Sequence, residues 1–298
     1  MGALVSAAVS LHGLLTGFGT GPATLAADGA VAVLAAVYLR AAAREARARR
    51  WQAWRAAAFV AGAFILFVAI GSGVGTEARR SLVVHVAQYL LLADVAPALL
   101  ALGAPVTLAL KRAKGMRIRL ERAVGSRALR VVVQPVVVAV VSSLALLVYF
   151  LSPLYAASER DVSVLAACDA CFVATGLLYW GIVVAADPPL DRLSHPLRLL
   201  FLAAGIPVVS LAGLSLSTTH RAVGPTLADT HRGGAALWGG GVLVLFAAMA
   251  AVFWLWSGYE RRASLLDDVR RDEELARRTD SLAGGTFGLR RPKPPPEH

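Results

Sequence analysis

The stretch that decides the fold is His85-Val-Ala-Gln-Tyr-Leu-Leu-Leu-Ala-Asp-Val-Ala-Pro-Ala-Leu-Leu-Ala-Leu-Gly-Ala-Pro105. It is long and apolar enough to cross a bilayer as one helix, which takes about 20 apolar residues. It nevertheless carries a histidine, His85, near one end and an aspartate, Asp94, near its middle. An ionisable group at that depth costs about 2.5–3.5 kcal/mol on insertion scales. The stretch therefore predicts a membrane-spanning helix whose polar side chains have partners or a task.

The composition extends this interpretation to the whole chain. Of its 298 residues, 57% are hydrophobic and only 16% are charged, whereas soluble domains carry about 25% charged residues. Windows of suitable length and hydropathy lie at about 28–43, 56–74, 82–109, 131–151, 162–185, 197–218 and 234–257. We therefore predict an all-α, polytopic membrane bundle of about seven transmembrane helices, with a membrane domain at residues 28–258.

The net charge of +11 is distributed as a membrane topology requires. With the N-terminus outside, five of the 30 Lys and Arg residues fall in outer segments and the other 25 fall inside. The five are Arg79, Arg80, Arg160, Arg221 and Arg232. Because cytoplasmic loops carry such an excess, we predict an N-terminus outside and a C-terminus inside. The basic loops then attract anionic membrane lipids, and the charge requires no nucleic-acid partner.

Two segments flank the predicted bundle. Residues 1–27 contain an apolar run at 3–18 that is short for a span. No basic residue precedes this run and no clear cleavage site follows it, so we predict an interfacial or re-entrant helix rather than a signal peptide. An eighth span is the alternative. Residues 259–298 are predicted to be a charged cytoplasmic tail, helical from Glu260 to about Thr279 and disordered in its Pro-rich end.

Polar side chains gather in the outer half of the predicted bundle. They are His85, Tyr89 and Asp94 on the third span, Cys168, Asp169 and Cys171 on the fifth, and His220, Asp229 and His231 before the seventh. His85 and Tyr89 share a helix face because they are four residues apart. Cys168 and Cys171, three apart, also share one. Asp94 lies about 13.5 Å from His85 along the helix axis.

These residue types allow several kinds of chemistry. Imidazole and thiolate together suit copper(I) or zinc, which makes His85, Cys168, Cys171 and His231 candidate metal ligands. Copper is favoured because zinc sites usually draw their ligands from tighter loops. Alternatively, the cysteines are small packing residues or a redox pair, His85 belongs to a hydrogen-bond network, and His231 is a solvated loop residue.

The aspartates Asp94 and Asp169 have their own alternatives. One is that they are protonated and hydrogen-bonded to each other or to Tyr89, which would stabilise the bundle modestly. The other is that they serve a proton or small-solute transporter.

Some function classes are excluded. The only lysines are Lys111, Lys114 and Lys293, and none lies in a predicted span. A seven-helix retinal protein needs a buried lysine for its Schiff base, so that class is excluded. The sequence contains no Walker A motif, no G-x-S-x-G and no His-Glu-x-x-His. We therefore predict that the protein is not an enzyme.

Several segments resemble one known family. The third span retains eight positions of a histidine-led pattern: His85, Gln88, Pro97, Leu99, Leu100, Leu102, Gly103 and Pro105. Further agreement comes, in order, from Trp51, Arg55, Phe59 and Gly62, from Phe172, Gly176, Tyr179 and Trp180, from Asp187-Pro188, and from Asp229, His231, Gly233, Gly234 and Trp238. The pattern resembles that of the caa-type cytochrome c oxidase assembly factors (CtaG), and it looks most like actinobacterial members.

This resemblance implies a function and departs from the family at specific positions. It implies a protein of the bacterial plasma membrane that aids oxidase biogenesis, with oxidase subunits as partners and copper as the metal handled at the outer face. In this chain Tyr89 stands for the second histidine of the third-span pattern, and Asp94 for one of its methionines. Cys171 stands where a fifth-span histidine is expected, and Val209 where the sixth span has another.

Three accounts of function follow from these observations. The first is a copper-handling assembly factor with a rebuilt site of His85, Cys168, Cys171 and His231. The second is a metal-free scaffold that helps assemble a membrane complex through helix contacts and its charged tail. The third is a proton or small-solute transporter that uses Asp94 and Asp169.

Overall fold

The computed structural model describes residues 19, 21–47, 51–112, 126–187 and 193–286, which contain helices and connecting turns but no strand. The helices are α1 (Pro22–Arg47), α2 (Ala53–Gly71), α3 (Gly73–Ala78), α4 (Leu82–Leu90), a π-helical turn (Leu91–Val95), α5 (Ala96–Leu102), α6 (Pro105–Arg112), α7 (Arg127–Val132), α8 (Pro135–Leu151), α9 (Leu154–Arg160), α10 (Val162–Val184), α11 (His195–Thr218) and α12 (Leu227–Thr286).

Six helical stretches in the described residues are long and apolar enough to cross a membrane. They are α1, α2, the stretch Leu82–Lys111, α10, α11 and Leu227–Gly258. A seventh is obtained if α8 is counted together with α9, which bends away from it by 69°. Each of the seven predicted windows overlaps one of these helices. The prediction of an all-α membrane bundle of about seven helices is confirmed.

The chain divides into two compact units, residues 1–250 and 251–298. The first contains the bundle, and α1 begins at Pro22, ahead of the predicted start at residue 28. In the second, the described residues 251–286 belong to α12, so the segment from Glu260 to Thr279 is helical as predicted. Residues 3–18, the basic loop beyond Arg112 and the Pro-rich end lie outside the described residues, and their predicted conformations stay predictions.

The bundle has two ends, because successive spans alternate in direction. We call the His85 end the one at which α2, α8 and α11 finish and α4, α10 and α12 begin. The opposite, or Asp187, end contains the C-terminus of α10 and the start of α11. Large apolar side chains on the outside, such as Phe64 at 63% and Leu243 at 69% exposure, cover the middle of the spans. Exposed apolar area on this scale suits contact with lipid rather than water.

Local sequence explains where individual helices begin. The side chain of Asp161 caps α10, because its carboxylate accepts a hydrogen bond from the Ser163 amide at 2.8 Å. Hydrogen bonds from the Ser163 side chain and amide hold the pKa of Asp161 below its usual value. Pro135 lies in the first turn of α8, where a missing N–H costs nothing.

The third span is interrupted at its Asp187 end. After α5 the backbone takes a left-handed conformation at Ala104, with φ of 47°, and Pro105 begins α6. The Asp187 carboxylate caps this new helix by accepting from the amides of Val106 at 3.2 Å and Thr107 at 2.6 Å. A carboxylate at a helix N-terminus satisfies free amides and the helix dipole. The break is therefore fixed by a residue more than 80 positions away in the sequence.

The left-handed residue Ala104 leads to a first prediction. Left-handed backbone costs an L-residue about 1–2 kcal/mol, whereas glycine adopts it freely. We expect Ala104→Gly to stabilise the purified protein by about 0.5–1 kcal/mol, because the relief of strain exceeds the added chain entropy. Thermal unfolding in detergent measures this. The matched control, Ala101→Gly inside α5, should instead lower stability by about 1 kcal/mol. Destabilisation by both variants would contradict the prediction.

The third and fifth spans pack in parallel over successive turns. The rings of Tyr89 and Phe172 meet edge to face with centroids 4.9 Å apart. One turn further, Gly176 allows α10 to approach the backbone carbonyl of Ala93, which any Cβ would strike. Close helix approach in membranes uses small residues in this way. This contact fixes the height of α10 relative to His85.

The sixth and seventh spans meet through a glycine pair. A Cβ on Gly213 would lie 2.7 Å from the carbonyl oxygen of Gly234, and a Cβ on Gly234 would lie 2.6 Å from that of Gly213. The backbones of α11 and α12 therefore touch at this point. Such close approach of two helix backbones in a membrane requires small residues at the contact.

Candidate functional site: the His85 cluster

The position of His85 is set by a capping interaction between distant segments. The carboxylate of Asp229, at the start of α12, accepts from the hydroxyl of Ser81 at 2.8 Å and from the amide of Leu82 at 2.7 Å. These groups lie at the N-terminus of α4, where amides lack helical partners. The His85 amide then donates to the Ser81 carbonyl at 3.0 Å. Asp229 thus ties the seventh span to the third and places His85 one turn inside it.

His85 is buried and hydrogen-bonded to the fourth span. Its Nε2 lies 2.7 Å from the hydroxyl oxygen of Tyr149. The Tyr149 hydroxyl lies 3.0 Å from Oγ of Ser158 on α9, and the Ser158 hydroxyl donates to the Tyr155 carbonyl at 2.7 Å. The three buried polar groups thus form a continuous chain across α4, α8 and α9. We call His85, Tyr149, Tyr155, Ser158 and Glu159 the His85 cluster.

The proton positions in this chain follow from donor and acceptor chemistry. A carbonyl only accepts, so the single hydroxyl proton of Ser158 is used on Tyr155. Ser158 must then accept from Tyr149, whose own proton is used in turn, and Tyr149 accepts from His85 Nε2–H. A neutral imidazole with its proton on Nε2 satisfies every link. The imidazole is therefore a structural donor within this chain.

The second imidazole nitrogen of His85 faces a carboxylate. Its Nδ1 lies 3.9 Å from Oε1 of Glu159, an oxygen that is buried without a hydrogen-bond partner. The distance is too long for a direct hydrogen bond. Arg79 and Arg160 line a cavity of about 260 Å³ on this side together with Glu159. The edge of the cluster is thus charged.

The cluster is enclosed by aromatic rings. His85 lies edge-on to Tyr155, with ring centroids 5.1 Å apart, and edge-on to Phe150 at 6.3 Å. Tyr89 also meets Phe150, at 5.5 Å. The predicted common face of His85 and Tyr89 is therefore confirmed. The sequence indicated neither Tyr149 nor Ser158 nor Glu159. These residues become significant only because α4, α8 and α9 are neighbours in the fold.

The two cysteines lie in separate surroundings from His85. Both are free thiols, Cys168 buried and Cys171 exposed, and both line an apolar cavity of about 320 Å³ between α8 and α10. Their predicted common face is thus confirmed. Tyr149 and Phe172 line the same cavity. Tyr149 therefore contacts both groups. Its hydroxyl is hydrogen-bonded to His85, and its side chain lines the cavity beside the two thiols.

His220 and His231, near the connection between α11 and α12, have surroundings of their own. The half-buried His231 donates from Nε2 to the Thr219 carbonyl at 2.8 Å, which joins the start of α12 to the end of α11. His220 is exposed.

The four predicted metal ligands are therefore not brought together by the contacts above. Within the described part of the chain, no three His, Cys, Asp or Glu side chains are grouped so that they could hold a metal ion. A shared copper site of His85, Cys168, Cys171 and His231 stays a prediction. The arrangement fits it poorly because His85 Nε2 and His231 Nε2 already serve protein acceptors.

The intramembrane aspartates also lie apart. Oδ1 of Asp94 accepts from the indole N–H of Trp180 at 3.1 Å. Asp169 lines a different cavity of about 450 Å³ between α1, α2 and α10, together with Arg79 and Gln88. The expectation that Asp94 bonds to Asp169 or Tyr89 is therefore corrected: its partner is Trp180, because α10 places the indole beside the π-helical turn.

A known protein family matches this chain across most of its spans. A model of the cytochrome c oxidase caa3 assembly factor family (Caa3_CtaG) matches residues 36–258. The chain belongs to this family.

The chain is similar to proteins of mycobacteria. It is 28% identical over 251 residues to uncharacterized proteins of Mycobacterium bovis and Mycobacterium tuberculosis, an alignment that covers 77% of this chain and 38% of each relative. An uncharacterized protein of Mycobacterium leprae is 26% identical over 247 residues, covering 76% of this chain and 38% of the relative. The chain thus spans less than two fifths of the length of these curated relatives. No solved structure matches the chain.

Several residues that carry the resemblance to the Caa3_CtaG family make contacts between helices here. Phe59 stacks on Tyr38 with ring centroids 3.7 Å apart. A Cβ on Gly62 would lie 2.9 Å from the Ala96 carbonyl oxygen. The Gln88 amide donates to the Ala69 carbonyl at 2.9 Å, near the end of α2. These residues of the family pattern thus maintain contacts between helices in this chain.

Proposed function

We propose that this chain assists the assembly of a cytochrome c oxidase in the bacterial plasma membrane. In this proposal the N-terminus lies outside and the C-terminus inside, so the His85 end faces outward. The chain works by contact with oxidase subunits and catalyses no reaction itself. Membership of the caa3 assembly factor family and the apolar helices support this proposal, and the distribution of Lys and Arg supports the orientation.

The observation that favours a contact role is the hydrogen-bond chain of the His85 cluster. Its imidazole, phenol and hydroxyl protons all have acceptors within the protein, ending on the Tyr155 carbonyl. Buried networks of this kind rigidify the elements that they join. The cluster would accordingly hold α4, α8 and α9 in a fixed arrangement and present the outward end as a defined surface.

Deletion of the gene tests this proposal. Assembled oxidase would be measured in membranes by its haem absorbance and by immunoblots of its subunits, with the wild-type gene restored as control. We expect deletion to lower assembled oxidase while transcripts of its subunits stay unchanged. Normal oxidase in the deletion strain would refute the assembly role.

One observation favours a second candidate, copper handling by the cysteine pair. Cys168 and Cys171 share a cavity whose other lining side chains are aliphatic or aromatic, and the hydroxyl of the lining residue Tyr149 is already bonded to His85 and Ser158. Thiolates are soft ligands that select copper(I). Purified protein loaded anaerobically with copper(I) should then lose bound copper in Cys168→Ala/Cys171→Ala and retain it in His85→Ala. Equal retention in all three proteins would exclude the cysteine pair.

A further inference from the structure

A small cavity lies where five helical segments meet in the bundle. Its volume is about 80 Å³, and it is lined from the third span, α8, α10, α11 and α12. The polar lining residues are Tyr89, Asp94, Ser142, Ser143 and Tyr179. The space depends on glycine, because a Cβ on Gly205 would lie 3.1 Å from the Tyr179 hydroxyl oxygen and one on Gly241 would lie 2.5 Å from Val209.

The carboxyl group in this cavity, that of Asp94, has one hydrogen bond within the described part of the chain. Asp94 lies in the π-helical turn Leu91–Val95, and its Oδ1 accepts from Trp180 at 3.1 Å. Short π-helical turns within α-helices are found often at functional sites. Among the described residues no donor bonds to Oδ2, so one carboxyl oxygen of Asp94 is available to the cavity.

A second polar group in the cavity is the hydroxyl of Ser142 on α8. Its Oγ is buried and makes no hydrogen bond to any of the described residues. Buried hydroxyls without a protein partner are normally satisfied by ordered water. The volume accommodates about two to three water molecules at about 30 Å³ each. Asp94 and Ser142 supply the polar partners that such water requires.

The lining offers no cation to neutralise Asp94. Apart from Asp94, its titratable members are Tyr89, on the same span, and Tyr179 from α10. The residues from α8, α11 and α12 are serine, glycine and aliphatic. An ionised carboxylate in this setting is energetically unfavourable unless a positive charge compensates it. The smallest such charge is a proton delivered through water.

We propose that this cavity is a hydrated proton-binding site in which Asp94 carries one exchangeable proton and water links it to Ser142. The proton comes from bulk water and returns to it, so no bond other than O–H is made or broken. This site is separate from the His85 cluster and does not depend on the proposed role in oxidase assembly.

Infrared spectroscopy of the full chain in lipid nanodiscs tests the proposal. A protonated carboxyl has a carbonyl stretch that is well separated from that of a carboxylate, and deuteration shifts it. We expect such a band in the wild type, its shift on transfer to D₂O, and its loss in Asp94→Asn. The matched control Asp169→Asn should retain the component lost in Asp94→Asn.

Two further measurements keep the test decisive. Trp180→Phe preserves the carboxyl but removes the donor to Oδ1, so it should change the frequency of the same band even if Asp94→Asn folds poorly. Replacement of N-methylglucamine by Na⁺ at constant pH should leave the band unchanged. Absence of an Asp94 band, a band that D₂O does not shift, or its removal by Na⁺ would overturn the proposal, the last in favour of an alkali cation.

Discussion

Gly213→Val should destabilise the bundle strongly. The added side chain would strike the Gly234 carbonyl oxygen and the Trp238 amide nitrogen, both 2.7 Å from a Cβ at position 213. These atoms belong to the backbone of α12 and cannot rotate away, so the two helices must separate. Overpacking costs typically 1–3 kcal/mol and occasionally more, and we expect at least the upper part of that range.

The thermal midpoint of the purified protein and its yield from membranes measure this effect. Gly239→Val is the matched control, because it makes the same chemical change on α12 where no atom lies within 4 Å of the new Cβ. The control should fold and unfold much as the wild type does. Similar midpoints for the two variants would mean that α11 and α12 do not touch at Gly213.

Asp229→Ala should produce the second large effect. The substitution removes the acceptor of the Ser81 hydroxyl and the Leu82 amide at the start of α4. Hydrogen bonds to a charged group contribute about 1.5–3 kcal/mol each, so we expect a loss of about 2–3 kcal/mol after partial replacement by water. The first turn of α4 should loosen, and with it the support of His85.

Hydrogen exchange followed by mass spectrometry locates this loss. Amides at 82–86 should exchange faster in Asp229→Ala, while those in the middle of α10 should be unchanged. Asp229→Asn retains an acceptor of nearly the same shape and should restore most of the protection. If exchange at 82–86 is the same in wild type and Asp229→Ala, Asp229 does not cap α4.

The parts of the fold that depend on one helix at a time could be predicted from the sequence. Hydropathy located all seven helical windows, since each spanning segment must bury its own backbone polar groups. Spacing within a helix correctly placed His85 with Tyr89 and Cys168 with Cys171.

The parts that depend on which helices are neighbours could not be predicted. Tyr149 became significant only because α8 lies beside α4, and Glu159 only because α9 bends by 69° towards the cluster's edge. Asp94 lies in a π-helical turn, where the regular spacing of an α-helix does not hold. Its pairing with Trp180, 86 positions away, therefore had no local signal.

The most direct test of the central claim is the level of assembled oxidase in a deletion strain that carries Cys168→Ala/Cys171→Ala. These thiols line one cavity with Tyr149 but take no part in the hydrogen bonds that join His85, Tyr149 and Ser158, so the double variant should fold and insert normally, as its membrane abundance will report. If the chain aids assembly by protein contact, the variant restores oxidase to the wild-type level. Failure of an abundant, folded variant to restore the oxidase would contradict that account and assign the essential step to the cysteine pair.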